Sequence, residues 1–171
     1  MNNGSCAQPK TNVTLSASQI RLKKDLDSLE LPPTVSADTT GLESSSTLFF
    51  TIHPDEGYYK PGYFRFSLFF KDTYPIEPPV VKCVNKIYHP NIDTQGNVCL
   101  NILREDWSPV LDLQSVVIGL LFLFLEPNDK DPLNRMAAQE LSKSPADFKR
   151  HVQRSLGGNQ VHGEYFDYVL N

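Results

Sequence analysis

The chain has 171 residues, a net charge of −4, 40% hydrophobic and 21% charged residues. That is enough apolar material for one domain with a real core, and too much for a disordered chain. The acidic balance argues against a general nucleic-acid or anionic-membrane binder, and the longest apolar run, residues 116–125, is half of what a bilayer span needs.

Residues 1–15 are polar and aperiodic and read as a flexible arm, leaving 16–171 as the domain. Ser16-Ala17-Ser18-Gln19 has the form of a capping box, and Leu22, Leu26 and Leu29 follow at helical spacing. A first helix therefore runs to about Leu29, before Pro32-Pro33. Short runs rich in aromatic and β-branched residues follow at 48–52, 63–70 and 80–84 and predict strands. "HPDEGYYKPG" is turn chemistry, and "YPIEPP" is too proline-rich for a central strand, with Tyr74-Pro75 a candidate cis bond. Asp112 caps a helix through Leu125 that is apolar almost all round and therefore expected to be buried. A shorter helix is predicted over 133–141. Ser144-Pro145 with Asp147 starts another that Gly157-Gly158 stops, and "EYFDYVL" suggests a last amphipathic turn. Helix, strands, then helices describe an α+β domain.

Cys6, Cys83 and Cys99 are odd in number and lack CxxC spacing, so a disulfide framework and a zinc site are both poor readings. "MNNGSCAQPK" has no apolar stretch of the secretory kind, so an intracellular, reducing location is expected, cytoplasmic and nuclear. Cys99 sits just past a Gly-Asn turn with no second thiol or cation beside it. On residue type alone it is either a small buried hydrophobe or a nucleophile. His89, Asn91 and Cys99 also supply the residue types of a cysteine hydrolase, although their spacing does not favour it.

Several motifs in one order weigh on that choice. Tyr74-Pro75 with Pro78-Pro79, the triplet His89-Pro90-Asn91, Gly96 with Cys99, Trp107-Ser108-Pro109, and Pro127-Asn128 with Asp131-Pro132-Leu133 together closely resemble the core of ubiquitin-conjugating enzymes. The resemblance covers about residues 16–171. Within that family, "PDEGYYKPG" and "NILREDWSPVLDLQS" resemble the branch dedicated to the ubiquitin-like Nedd/Rub modifier. It implies a UBC-like α+β fold, with an N-terminal helix, a four-stranded antiparallel meander and C-terminal helices. It also implies an acyl transferase that takes the modifier as a thioester on Cys99 and passes it to a substrate lysine, plausibly on cullins. No cofactor and no metal are implied. A ubiquitin carrier is the near alternative, and a non-catalytic binding variant of the fold or a Cys-His hydrolase are the others.

A thioester carrier exchanges one thioester for another, so a powerful base is not required, and one placed beside the cysteine would assist hydrolysis. Asn91 is a candidate donor to the oxyanion formed when lysine attacks; its plainer role is to pin the loop before Cys99. The resemblance implies that Asp131 orients the incoming lysine, with helix capping as the alternative; many relatives carry a second acid where this chain has Lys130. His89, Pro90 and Asn101 are expected to support the site.

The first helix carries Arg21, Lys23 and Lys24 toward its N-terminal half and Asp25, Asp27 and Glu30 toward its other end, against the helix dipole. A solvated face with weak pairs is one reading. The resemblance implies the other, docking of Arg21, Lys23 and Lys24 on a heterodimeric activating enzyme. It also implies that Ile76, Pro109 and Val110 meet a RING-type ligase, for which burial in the core is the alternative, and that a co-ligase receives the N-terminus. The arm offers little apolar anchorage for such docking, Val13 and Leu15 being nearest.

Overall fold

Alternation along two phenylalanine-rich runs builds the centre of the molecule. In β2 (Thr47–Ile52) Leu48, Phe50 and Ile52 are buried, and in β3 (Phe64–Phe69) Phe64, Phe66 and Leu68 are buried. The antiparallel register sets Leu48 against Leu68, Phe50 against Phe66 and Ile52 against Phe64, so one face of the sheet is a continuous apolar surface. The structure, a computed structural model, describes residues 14–171, so the predicted arm falls almost entirely outside the described residues.

The chain enters through α1 (Ala17–Asp27), capped by Ser16 and Gln19 in the predicted box. It then forms β1 (Val35–Asp38), a single helical turn α2 (Leu42–Ser45), β2, β3 and β4 (Val80–Cys83), in the sheet order β1-β2-β3-β4. β1 lacks an apolar run, and its four residues are held extended by pairing with β2. The bond Tyr74-Pro75 is cis, as is Lys60-Pro61. A 3₁₀ turn over Asn101–Leu103 leads to α3 (Leu113–Leu125), capped by Asp112. α4 (Arg135–Lys143) and α5 (Pro145–Leu156) follow, α4 starting later than the leucine spacing suggests because Asn134 takes the cap.

Two expectations are corrected. α3 is not buried all round: Val116, Val117, Leu120, Leu123 and Phe124 are buried, Phe124 against Phe64 and Phe66 of β3, while Ile118 and Phe122 are about half exposed. The tail forms no helical turn. A hairpin of β5 (Gln160–Val161) and β6 (Glu164–Tyr165) is followed by an extended strip. The strip bonds through Asp167 N to Lys86 O and through Val169 N to Leu156 O, so backbone partners from distant loops replace a local helix.

Candidate active site around Cys99

The segment 89–99 folds back on itself. The Asp93 carboxylate accepts from the backbone N–H groups of Gln95 and Asn97, both at 2.9 Å, and from the Asn97 side chain at 2.6 Å. Asp93 thus closes a turn whose apex passes through Gly96 at φ +77°. A Cβ at Gly96 would lie 2.1 Å from the carbonyl oxygen of Cys83, so glycine is required both for its conformation and for the approach to β4. Cys99 leaves this turn with its own N–H donating to Asn91 O at 2.8 Å.

His89 is fully buried, stacked on Tyr59 with a centroid separation of 4.8 Å and edge-on to Phe124. Its Nδ1 accepts from the Asn91 N–H at 3.0 Å, so its Nε2–H donates to Leu123 O at 2.8 Å. Burial pushes its pKa down to about 4. Both nitrogens are spent on structure, and neither is free to take a proton from a thiol. That removes the geometry a Cys-His hydrolase needs.

Asn91 is buried and bridges to the opposite wall. Its Nδ2 donates to Asn128 O at 2.9 Å and its Oδ1 accepts from Asn128 N at 3.0 Å. Pro90 O accepts from the N–H groups of Leu133 and Asn134 at 2.9 and 3.0 Å. Between these anchors runs the loop carrying Lys130 and Asp131. Asp131 adopts φ +48°, a left-handed conformation uncommon for a residue with a side chain. Its carbonyl oxygen receives the Cys99 thiol at 3.6 Å, and its side chain is exposed.

Cys99 is half-buried at the edge of an open groove of about 400 Å³. Asn91, Asn101, Asn128, Lys130 and Asp131 line the groove. All three residues assigned to chemistry, Cys99, Asn91 and Asp131, are therefore brought together, with Asn101 beside them. Cys83 is the opposite kind of thiol: the buried last residue of β4, with its pKa pushed up to about 12 by that burial. Among the described residues the groove sets amides, the Asp131 carboxylate and the Lys130 ammonium around an accessible sulfur, and no imidazole lines it. Such an arrangement suits acyl exchange through the thiol better than hydrolysis.

Two positioning residues were not picked out from the sequence. Asn128 was noted only within its motif, yet it is the partner that locks Asn91. Gly119 lies mid-helix in α3, where a Cβ would come within 3.0 Å of the side chains of Leu100 and Ile102. Its absent side chain lets the segment after Cys99 settle on α3. A lone glycine in an apolar helix was the available signal.

The reading of the first helix needs revision at one position. Lys23 and Lys24 are exposed, but Arg21 is folded into the molecule. Its Nε donates to the buried Asp25 at 2.8 Å, and its two terminal nitrogens donate to Pro109 O and Leu111 O, each at 2.7 Å. Asp25 also accepts the hydroxyl of Tyr74, and Trp107 Nε1 donates to Pro75 O at 2.9 Å. The pair Arg21–Asp25 is thus a clamp joining α1 to the loops around residues 75 and 109, and not a weak surface pair. Those loops hold Ile76 and Val110 out in solvent, at 73% and 85% exposure, which removes the core alternative for both. Pro109 beside them is exposed as well.

The fold and the cysteine groove define a known class. Residues 21–156 match the family model described as ubiquitin-conjugating enzyme, and the chain belongs to that family. The NEDD8-conjugating enzyme UBC12 of Eremothecium gossypii is 58% identical over 154 residues, covering 90% of this chain and 84% of the relative. The protein of the same name from Schizosaccharomyces pombe is 51% identical over 165 residues, covering 96% and 93%. Among solved structures, Saccharomyces cerevisiae Ubc12 superposes with a TM-score of 0.87 at 52% identity, covering 92% of this chain and 89% of that one.

Proposed function

We propose that this protein conjugates a NEDD8-type modifier: it accepts the modifier from an activating enzyme as a thioester on Cys99 and passes it to a substrate lysine, with cullins as the substrate class. The observation that carries the reading is the accessible Cys99 sulfur in its open groove, with His89 locked away from it. The choice of modifier rests on the relatives, which are named NEDD8-conjugating enzymes.

The steps balance without an added reagent. The Cys99 thiolate attacks the thioester carbonyl on the activating enzyme and expels that enzyme's cysteine thiolate. The lysine amine then attacks the Cys99 thioester. The tetrahedral oxyanion collapses with the Cys99 thiolate leaving, and the amine proton passes to the Asp131 carboxylate or to water. Asn91 has one Nδ2–H left after bonding Asn128, and that N–H is available to the oxyanion. Lys23 and Lys24 are exposed cations of α1 that would meet a heterodimeric activating enzyme. Ile76, Pro109 and Val110 present an apolar patch to a RING-type ligase, and a co-ligase would meet the N-terminus. The test is incubation with activating enzymes, ATP and each modifier, followed by electrophoresis without reductant. A reductant-sensitive adduct with the NEDD8-type modifier alone, absent in Cys99→Ala, is expected. An adduct with ubiquitin alone would identify a ubiquitin carrier, and no adduct would end the carrier reading.

A further inference from the structure

A second cluster of reactive side chains lies outside the Cys99 groove, where α4, α5 and the C-terminal hairpin meet. Glu140 comes from α4, His151 from α5 and His162 from the turn between β5 and β6. His151 Nδ1 lies 2.9 Å from both Glu140 oxygens, and His162 Nε2 lies 2.7 Å from Oε1. The ligating atoms all fall within 4.8 Å of one another. We propose that Glu140, His151 and His162 form a binding site for a divalent transition metal of the zinc type.

Two imidazoles and one carboxylate are the donor set such ions select. Metal–ligand bonds of roughly 2.0–2.2 Å in a tetrahedron place ligand atoms about 3.3 Å apart. The cluster reaches that spacing by opening each His–Glu contact by about half an ångström and drawing the His151 and His162 nitrogens, which lie within 4.8 Å of each other, closer together. The Tyr88 hydroxyl donates to Oε2 at 2.9 Å and steadies the carboxylate, whose Oε1 is the oxygen shared by both rings. A groove of about 310 Å³, lined by Tyr88 and His162, opens on the His162 side of the cluster. His162 reaches in from a tight turn, His162-Gly163, with φ of 51° and 84°. A bound ion would tie the hairpin to both helices and leave Cys99 untouched.

The test is zinc titration of the full chain by calorimetry and thermal unfolding. It is made in a Cys6→Ser/Cys99→Ser background, so that these two thiols cannot bind the ion. One zinc per chain and a rise of several degrees in Tm are expected. His162→Asn, which keeps a residue tolerant of the left-handed turn, should lower the affinity at least tenfold with little change in the metal-free Tm. Glu140→Gln should lower it similarly. Absence of one-to-one binding, or equal binding by both variants and the parent, would overturn the proposal.

Discussion

Asn91 and Asn128, 37 residues apart, close a ring of two hydrogen bonds, side-chain amide to backbone, that sets the wall carrying Asp131 against Cys99. Removing the Asn91 amide does two separable things. It leaves the Asn128 N–H and C=O unpaired, costing about 1–3 kcal/mol of stability. It also deletes the oxyanion donor, for which a loss of roughly a hundred- to a thousandfold in lysine transfer is typical. Asn91→Ala should therefore charge on Cys99 but discharge slowly to lysine, as followed by single-turnover gels. Discharge at the parent rate would leave only the loop-pinning role.

The two described thiols should differ sharply toward alkylation. Cys83 is buried with its pKa raised, while Cys99 opens onto the groove. With Cys6→Ser, iodoacetamide at neutral pH should add one label per chain, mapped by mass spectrometry to Cys99. Adding Cys99→Ala should abolish labelling until the protein is unfolded.

At Gly96 both the left-handed backbone and the contact with Cys83 O exclude a side chain. Gly96→Ala should lose roughly 3 kcal/mol or more, measured by urea unfolding. Because the same turn delivers Cys99, charging should fall along with stability. A variant of unchanged stability would refute the packing account.

His89 makes stability depend on pH in a defined window. Above pH 6.5 folded and unfolded chains both carry a neutral imidazole, and nothing is lost. From about 6.5 down to about 4 the unfolded chain binds a proton that the buried ring refuses, so stability falls as pH falls. The loss levels off below about 4, at about 3 kcal/mol. His89→Gln should flatten this part of the profile. The check is the difference in unfolding free energy between the two chains from pH 7 to pH 4.5.

Charge reversal on α1 should separate stability from docking. Arg21→Glu breaks the clamp on the buried Asp25 and should cost about 2–4 kcal/mol. Lys23→Glu with Lys24→Glu touches only exposed side chains and should change stability by less than about 0.5 kcal/mol per site, while slowing transfer from the activating enzyme. Thermal unfolding and charging kinetics on both variants decide it; normal charging by the lysine variant would remove the docking role.

Local chemistry by itself determined much of this protein. The capping box at Ser16, the Asp112 cap, the alternating β2 and β3 faces and the Ser144-Pro145 start all act through neighbours within a few residues, so they could be read from the chain. The motifs that place Cys99, Asn91 and Asp131 in one family were equally legible. Tertiary structure alone decided what those residues touch. It spent both nitrogens of His89 on Asn91 and Leu123, turned Arg21 inward, laid the tail against distant loops, and gathered Glu140, His151 and His162 from spacings of eleven residues. Apart from the His89–Asn91 bond, which spans two residues, each of these joins positions eleven or more residues apart, fixed by packing and by the need to satisfy buried polar groups, and no short-range pattern encodes such a contact.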